Sequence, residues 1–253
     1  MNEIDLNADL GEGFGLYAFG SDDELLASIS SANIACGYHA GDPHQMRATV
    51  ERCLERGIAI GAHPGLPDRL GFGRREMQVT PGEASDFVLY QTGALQAFVR
   101  AAGGKLCHVK LHGALYHMAS TDQALAEAIA GAVYRFDPSL LLFGLPGSRL
   151  ETAATECGLG FVPEGFADRT YRRDGRLASR QLPGAVWHED EKAVAQAISL
   201  VKQGEAATID GGSVVMRVRT ICLHGDTPNA AQSAKRIRQA LLAEGIIIQR
   251  PTR

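Results

Sequence analysis

A short apolar strand, a polar glycine-rich loop and an amphipathic helix recur along this chain. No other feature constrains its folding as much, because strands alternating with helices demand a parallel sheet. Strands are expected at 3–9, 32–36, 59–63, 106–112, 140–145, 160–164 and 218–224. Helices are expected near 43–56, 81–102, 122–136, 148–157, 190–202 and 229–244. Asp42-Pro43 and Thr227-Pro228 each read as an N-cap followed by proline at the first helical position. Thr80 and Glu83 have capping-box spacing, and Gly57, Gly103, Gly158 and Gly245 stand where helices stop. In Asp5-Leu6-Asn7-Ala8-Asp9-Leu10 the polar residues share one face of the strand; Lys110 and His112 share another, with His108 further back. An open sheet covered by helices on both sides favours strands that are apolar throughout. A polar inward face suits a barrel close to its catalytic mouth. The fold expected is therefore α/β, a seven-stranded parallel β/α barrel forming a single domain over residues 1–253, with an open sheet as the alternative.

Composition excludes several functions. The 253 residues are 45% hydrophobic and 21% charged, which is ordinary for a globular protein. A net charge of −4 argues against a nucleic-acid partner. No apolar run approaches the roughly 20 residues that cross a bilayer, and the acidic start MNEIDLNADLGEG does not read as a signal peptide. Five dispersed cysteines without a CxxC spacing read as reduced thiols, so a cytoplasmic location is expected.

The chemistry-bearing residues gather where strands end. Asp5, Asn7, Asp9 and Glu12 converge after the first strand, where crowded carboxylates raise one another's pKa or share a cation; a polar strand with a glycine turn is the plainer reading. Asn33, Cys36 and His39 follow the second strand. There His39 suits a ligand or base, Cys36 reads better as a buried thiol than as a nucleophile, Asp42 as an N-cap and His44 as a surface residue. His63 ends the third strand, before a Gly/Pro-rich loop whose Arg74 and Arg75 suit an anionic group. Lys110 and His112 end the fourth strand, and a buried lysine there needs a carboxylate or phosphate partner. Glu164, Asp168 and Arg169 follow a later strand, as do His224 and Asp226 the last one. GxxxxGK[ST], GxGxxG, HExxH and GxSxG are all missing.

The segments Asp5-Leu6-Asn7-Ala8-Asp9-Leu10-Gly11-Glu12, Asn33-Ile34-Ala35-Cys36-Gly37-Tyr38-His39-Ala40-Gly41-Asp42, Gly61-Ala62-His63-Pro64, Val109-Lys110-Leu111-His112-Gly113-Ala114-Leu115-Tyr116, Glu164-Gly165-Phe166-Ala167-Asp168-Arg169-Thr170-Tyr171 and Leu223-His224-Gly225-Asp226 stand in this order over nearly the whole length. Together they resemble the LamB/YcsF family of A-type 5-oxoprolinase subunits. The resemblance implies a barrel akin to those of glycoside hydrolases and polysaccharide deacetylases. It implies ATP-dependent opening of 5-oxoproline to glutamate, with Mg²⁺ accompanying ATP, beside two further subunits of B and C type. On this resemblance Asp9, Glu12, His39, His63, Lys110 and His112 are the expected catalytic group. Asn7, Asn33, Arg74, Arg169 and Asp226 are the expected substrate contacts. By analogy with deacetylase barrels, Asp9, His39 and His63 would hold a divalent metal. The competing readings are a stand-alone metal-dependent amidohydrolase or deacetylase, and a non-catalytic subunit that only binds a ligand.

Overall fold

A computed structural model describes residues 3–17, 22–223 and 230–253. In chain order the elements are β1 (Glu3–Leu10), α1 (Asp22–Leu26), β2 (Ser31–Ala35), α2 (Pro43–Glu55), β3 (Ala59–His63), α3 (Pro81–Ala101), β4 (Leu106–Lys110), α4 (Gly113–Thr121), α5 (Gln123–Phe136), β5 (Leu141–Gly144), α6 (Arg149–Cys157), β6 (Gly160–Phe166), α7 (Asp190–Lys202), β7 (Glu205–Ala207), β8 (Ser213–Val215), β9 (Thr220–Leu223), α8 (Ala230–Ala243) and β10 (Ile247–Ile248). The main sheet has the order β10-β1-β2-β3-β4-β5-β6-β9, and β1 also pairs with β9. Its seven principal strands are those expected from the sequence, and their order is that of the seven-stranded parallel β/α barrel. The two-residue β10 is an addition, pairing with Glu3 and Ile4.

The described residues gather into two compact units, one of residues 9–17, 31–162 and 253, the other of residues 3–8, 22–30, 163–223 and 230–252. In the first unit β2, β3, β4 and β5 run parallel, with Ser31 beside Ala59 and Lys110 beside Phe143. Leu141, Phe143 and Val162 pack together in its core. Helix starts follow the sequence signals. Asp42 accepts from the Gln45 N–H at 2.9 Å with Pro43 next in line. Thr80 and Glu83 close the full capping box at the head of α3. Gly158 ends α6 in the left-handed region, φ 79°, which a side-chain-bearing residue enters only at a cost.

Two local expectations are corrected. β4 stops at Lys110 rather than continuing to His112, because the His112 N–H turns to donate to Pro64 O at 2.9 Å. His112 then begins α4, a helix the sequence reading did not anticipate, since it carries no side-chain cap. Asp122 closes α4 and caps α5, so a single start signal covered two abutting helices.

The second unit holds β9 in parallel with both β1 and β6. Its polar ladder is buried apart from the half-buried Ser30. Asn7 Nδ2 donates to Glu164 Oε1 at 3.0 Å and to Thr220 Oγ1 at 2.7 Å. Asp5 accepts from Ser30 at 2.7 Å and Thr220 at 2.5 Å. Gln196 on α7 donates to the backbone carbonyls of Phe166, Ala167 and Arg169 and accepts from the Ala207 N–H, fixing the chain after β6. The antiparallel hairpin β7–β8, also unanticipated, turns at Asp210-Gly211. The expected helix start at Thr227-Pro228, together with His224 and Asp226, lies outside the described residues.

Candidate functional site

Six of the residues expected to carry chemistry lie in the first unit and meet there: Asp9, Glu12, His39, His63, Lys110 and His112. Asp9 is the hub. Its Oδ1 accepts from Lys110 Nζ at 3.0 Å and from Asn33 Nδ2 at 2.8 Å, and its Oδ2 lies 3.3 Å from His63 Nε2. Burial would push this carboxyl up, but His63 and Lys110 beside it more than offset that, so Asp9 titrates well below the usual carboxylate range. Lys110 is itself only 2% exposed and Asp9 is half-buried, so the pair is largely shielded from water. Asn33 extends the network backward, its Oδ1 lying 2.8 Å from His108 Nε2. The His108 ring stacks on Phe143, centroids 4.1 Å apart, and burial lowers its pKa to about 3. A ring held neutral with Nε2 facing an amide oxygen must be the Nε2–H tautomer.

The histidines form the other half. His39 and His112 stack face to face, with centroids 3.7 Å apart and planes within 1°. His63 stands edge-on to both, at 5.5 and 4.8 Å. Burial holds His39 well below the ordinary histidine value, and the neighbouring His112 and His63 lower it further. Burial likewise brings His112 down to about 3. Glu12 Oε1 lies 3.5 Å from His39 Nε2 and 3.7 Å from His112 Nδ1.

Two backbone carbonyls settle which ring nitrogens carry protons. His63 Nδ1 lies 2.8 Å from Lys110 O, and His112 Nε2 lies 2.8 Å from Phe72 O. A carbonyl only accepts, so both nitrogens are N–H donors. In neutral rings the remaining nitrogens, His63 Nε2 and His112 Nδ1, then carry lone pairs. These two face each other at 2.9 Å. A proton on one of them satisfies both, and His63 Nε2 also faces the Asp9 carboxylate at 3.3 Å.

Glycines make the space. A Cβ on Gly61, the β3 residue beside His108, would lie 2.0 Å from His108 Nε2. A Cβ on Gly65 would lie 2.6 Å from His39 Nδ1, and one on Gly73 would lie 2.7 Å from His39 Cβ and 2.9 Å from His112 Cδ2. Phe72, at φ +53° in the left-handed region, covers His39 and His112 edge-on while its carbonyl accepts from His112 Nε2. Sequence reasoning missed these four positions. The signal available was the glycine spacing itself, Gly61, Gly65, Gly71 and Gly73 around one histidine-ended strand.

The other expected residues fall as follows. Arg74 is exposed, its guanidinium 5.1 Å above the Phe72 ring, and its charge is felt by both His39 and His112. Arg75 binds the buried Asp68 and fastens the loop. Asn7 and Arg169 belong to the second unit. Arg169 is 2% exposed and donates to Ala178 O at 2.6 Å and Ala185 O at 3.3 Å. The Cys36 thiol is buried, its pKa pushed up to about 12, so it cannot serve as a thiolate nucleophile at neutral pH. His44 is exposed, as expected. Four of the clustered side chains can offer a cation one donor atom each. The donors of Glu12, His39, His63 and His112 lie within 4.8 Å of one another, and Asp9 is not in that set.

Comparison with known proteins agrees over the full length. A relative from Bacillus mycoides, named as the A-type subunit of 5-oxoprolinase, is 52% identical over 254 residues, covering all of both chains. Another of that name from Heliobacterium modesticaldum is 53% identical, covering 97% of each. The crystal structure of a lactam utilization protein from Thermus thermophilus superposes with a TM-score of 0.93 at 46% identity, over 98% of this chain and 99% of that one. The LamB/YcsF family model matches residues 4–253, and this chain belongs to that family.

Proposed function

We propose that this chain is the A-type component of an ATP-dependent 5-oxoprolinase, acting in the cytoplasm as one barrel domain over residues 1–253 with subunits of B and C type. The overall reaction opens the lactam of 5-oxo-L-proline with water to L-glutamate, coupled to hydrolysis of ATP to ADP and phosphate. The observation that carries the reading is the shielded Asp9–Lys110 pair beside three histidines, in a chain half identical to relatives of that name.

A lactam is a resonance-stabilised amide and needs activation before water attacks it. Phosphorylation of its oxygen by Mg-ATP would make the ring carbon electrophilic. Asp9, held ionised by its neighbours, accepts the proton of the attacking water, and Lys110 stabilises the negative charge that develops on oxygen. Asp9 returns that proton to the ring nitrogen as the C–N bond breaks, leaving an acyl phosphate that a second water hydrolyses to glutamate and phosphate. Asn33 orients Asp9. Arg74 is the residue we assign to the substrate carboxylate, because Arg169 donates to the carbonyls of its own loop. A divalent ion held by the histidine cluster would polarise a carbonyl or phosphoryl oxygen.

The test is glutamate release from 5-oxoproline and ATP, with and without the two partner subunits. Release that needs all three and is abolished by Asp9→Asn supports the reading. Wild-type rates with Asp9→Asn would refute the site and favour a component that only binds. The histidine cluster also favours a second reading, a stand-alone metal-dependent amidohydrolase. Lactam or acyl-amide cleavage by the chain alone, without ATP, would establish it.

A further inference from the structure

We infer that His108 is a positioning residue: its Nε2–H locks the Asn33 amide with Nδ2 toward Asp9, and so holds the Asp9 carboxylate in the orientation in which it takes a proton from water. The bearing on turnover rests on the proposed function; the polarity of the hydrogen bonds does not.

That polarity runs one way. The Asp9 carboxylate accepts, so the Asn33 atom 2.8 Å from its Oδ1 is the amide nitrogen. The amide oxygen then points the other way, to His108 Nε2 at 2.8 Å, where only a donor suits it. A reversed amide would set its oxygen against the carboxylate and its NH₂ against an N–H, two repulsions at once. Asn33 and His108 are 0% and 1% exposed, so bulk water is not at hand to replace either bond.

His108 is itself held. Its ring stacks on Phe143, with centroids 4.1 Å apart and planes within 8°. On β3, Gly61 leaves free the space in which a Cβ would lie 2.0 Å from Nε2. The strand register sets His108 beside Gly61 on one side and Leu141 on the other, so the ladder fixes its backbone while the stack fixes its ring.

The two oxygens of Asp9 face different groups. Oδ1 accepts from Lys110 Nζ at 3.0 Å as well as from Asn33, and Oδ2 lies 3.3 Å from His63 Nε2. Lys110 brings a point charge on a flexible stem, which attracts the carboxylate without fixing its plane. The planar Asn33 amide supplies the direction, and His108 supplies the direction of the amide. Misplacing a catalytic group by about 1 Å can cost about a hundredfold in rate.

The experiment uses the full chain reconstituted with its partner subunits. His108→Phe keeps a ring against Phe143 but has no donor, His108→Leu is smaller and also lacks one, and His108→Gln sets an amide N–H close to the place of Nε2. The two variants without a donor should lower kcat for glutamate release by about tenfold to a hundredfold, with KM for 5-oxoproline unchanged within about twofold. His108→Gln should recover most of that loss. Asn33→Ala should lower kcat by a similar factor, and adding His108→Leu to it should cost nothing more. Wild-type kcat in folded His108→Phe or His108→Leu, no recovery with His108→Gln, or additive losses in the double variant would each overturn the inference. The isolated chain gives a readout that needs no turnover. In a crystal structure of His108→Leu, Asn33 Nδ2 should have moved beyond about 3.5 Å from Asp9; an amide still bonded to Asp9 would refute the lock. A wild-type complex that releases no glutamate would refute the proposed function, and the crystal structure would still decide the lock.

Discussion

Replacing Gly61 by alanine adds one methyl group, and the structure puts that group inside a histidine. The new Cβ would lie 2.0 Å from His108 Nε2, 2.2 Å from Cδ2 and 2.4 Å from Cε1. Carbon and nitrogen in van der Waals contact stand about 3.5 Å apart, so the ring must shift by more than an ångström. It has little room to do so, since its other face stacks on Phe143 at 4.1 Å. The shift also breaks the His108–Asn33 hydrogen bond, and with it the support that Asn33 gives Asp9. Overpacking of this kind costs about 1–3 kcal/mol, and loss of a buried hydrogen bond adds about 1 kcal/mol. At about 2–4 °C per kcal/mol for a chain of this size, Tm should fall by roughly 5–15 °C. Gly93→Ala, in the middle of α3 where the nearest neighbour is the Phe136 ring edge at 4.0 Å, is the matched control. It should raise stability by about 0.5–1 kcal/mol through helix propensity alone. Both are read by urea and thermal melts, with 5-oxoproline turnover in the reconstituted complex as the second readout. Equal Tm for Gly61→Ala and wild type would show that His108 does not occupy the space beside Gly61.

Three further outcomes are expected. Lys110→Met should cost about 1–3 kcal/mol in urea melts and abolish turnover, because it leaves the half-buried Asp9 carboxylate without one of its two positive neighbours; no measurable stability loss would contradict a shielded pair. His108 titrates near 3 when folded and near 6.5 when unfolded, so the unfolded chain binds the extra proton in that window. Stability should therefore fall as pH drops below about 6.5, by up to about 1.4 kcal/mol per pH unit from this group, and His108→Gln should flatten the Tm-against-pH curve there. An unchanged curve would show that His108 is not held neutral. Iodoacetamide at pH 8 should label the partly exposed Cys107 and Cys157 in the native chain and spare Cys36, whose thiol lies near 12; mass spectrometry finding Cys36 alkylated first would refute its burial.

How much was legible beforehand follows from the range of the forces involved. The strands of the main sheet and the longer helices are written in local signals: apolar runs, Asp42-Pro43, the Thr80–Glu83 box and the stop glycines all act within a few residues. The elements that escaped, the five-residue α1, α4, the β7–β8 hairpin and the two-residue β10, lack them. Helix α4 has no side-chain cap, and the strands of the hairpin are three residues each. At the site, residue type and strand-end position named six side chains that do meet, since a lysine or carboxylate facing a barrel interior is costly without a partner. What they do to one another was not legible, because it depends on contacts far apart in sequence. Asp9, whose residue type suits a base or a metal ligand, meets Lys110, 101 positions later, through its Oδ1. Likewise Arg169 donates to carbonyls 9 and 16 residues downstream, contacts that its charge alone does not record. The proton positions were least legible of all. They rest on two backbone carbonyls, Lys110 O and Phe72 O, whose direction no side-chain pattern records. Those carbonyls turn a cluster of histidines into a site with a demand for one positive charge.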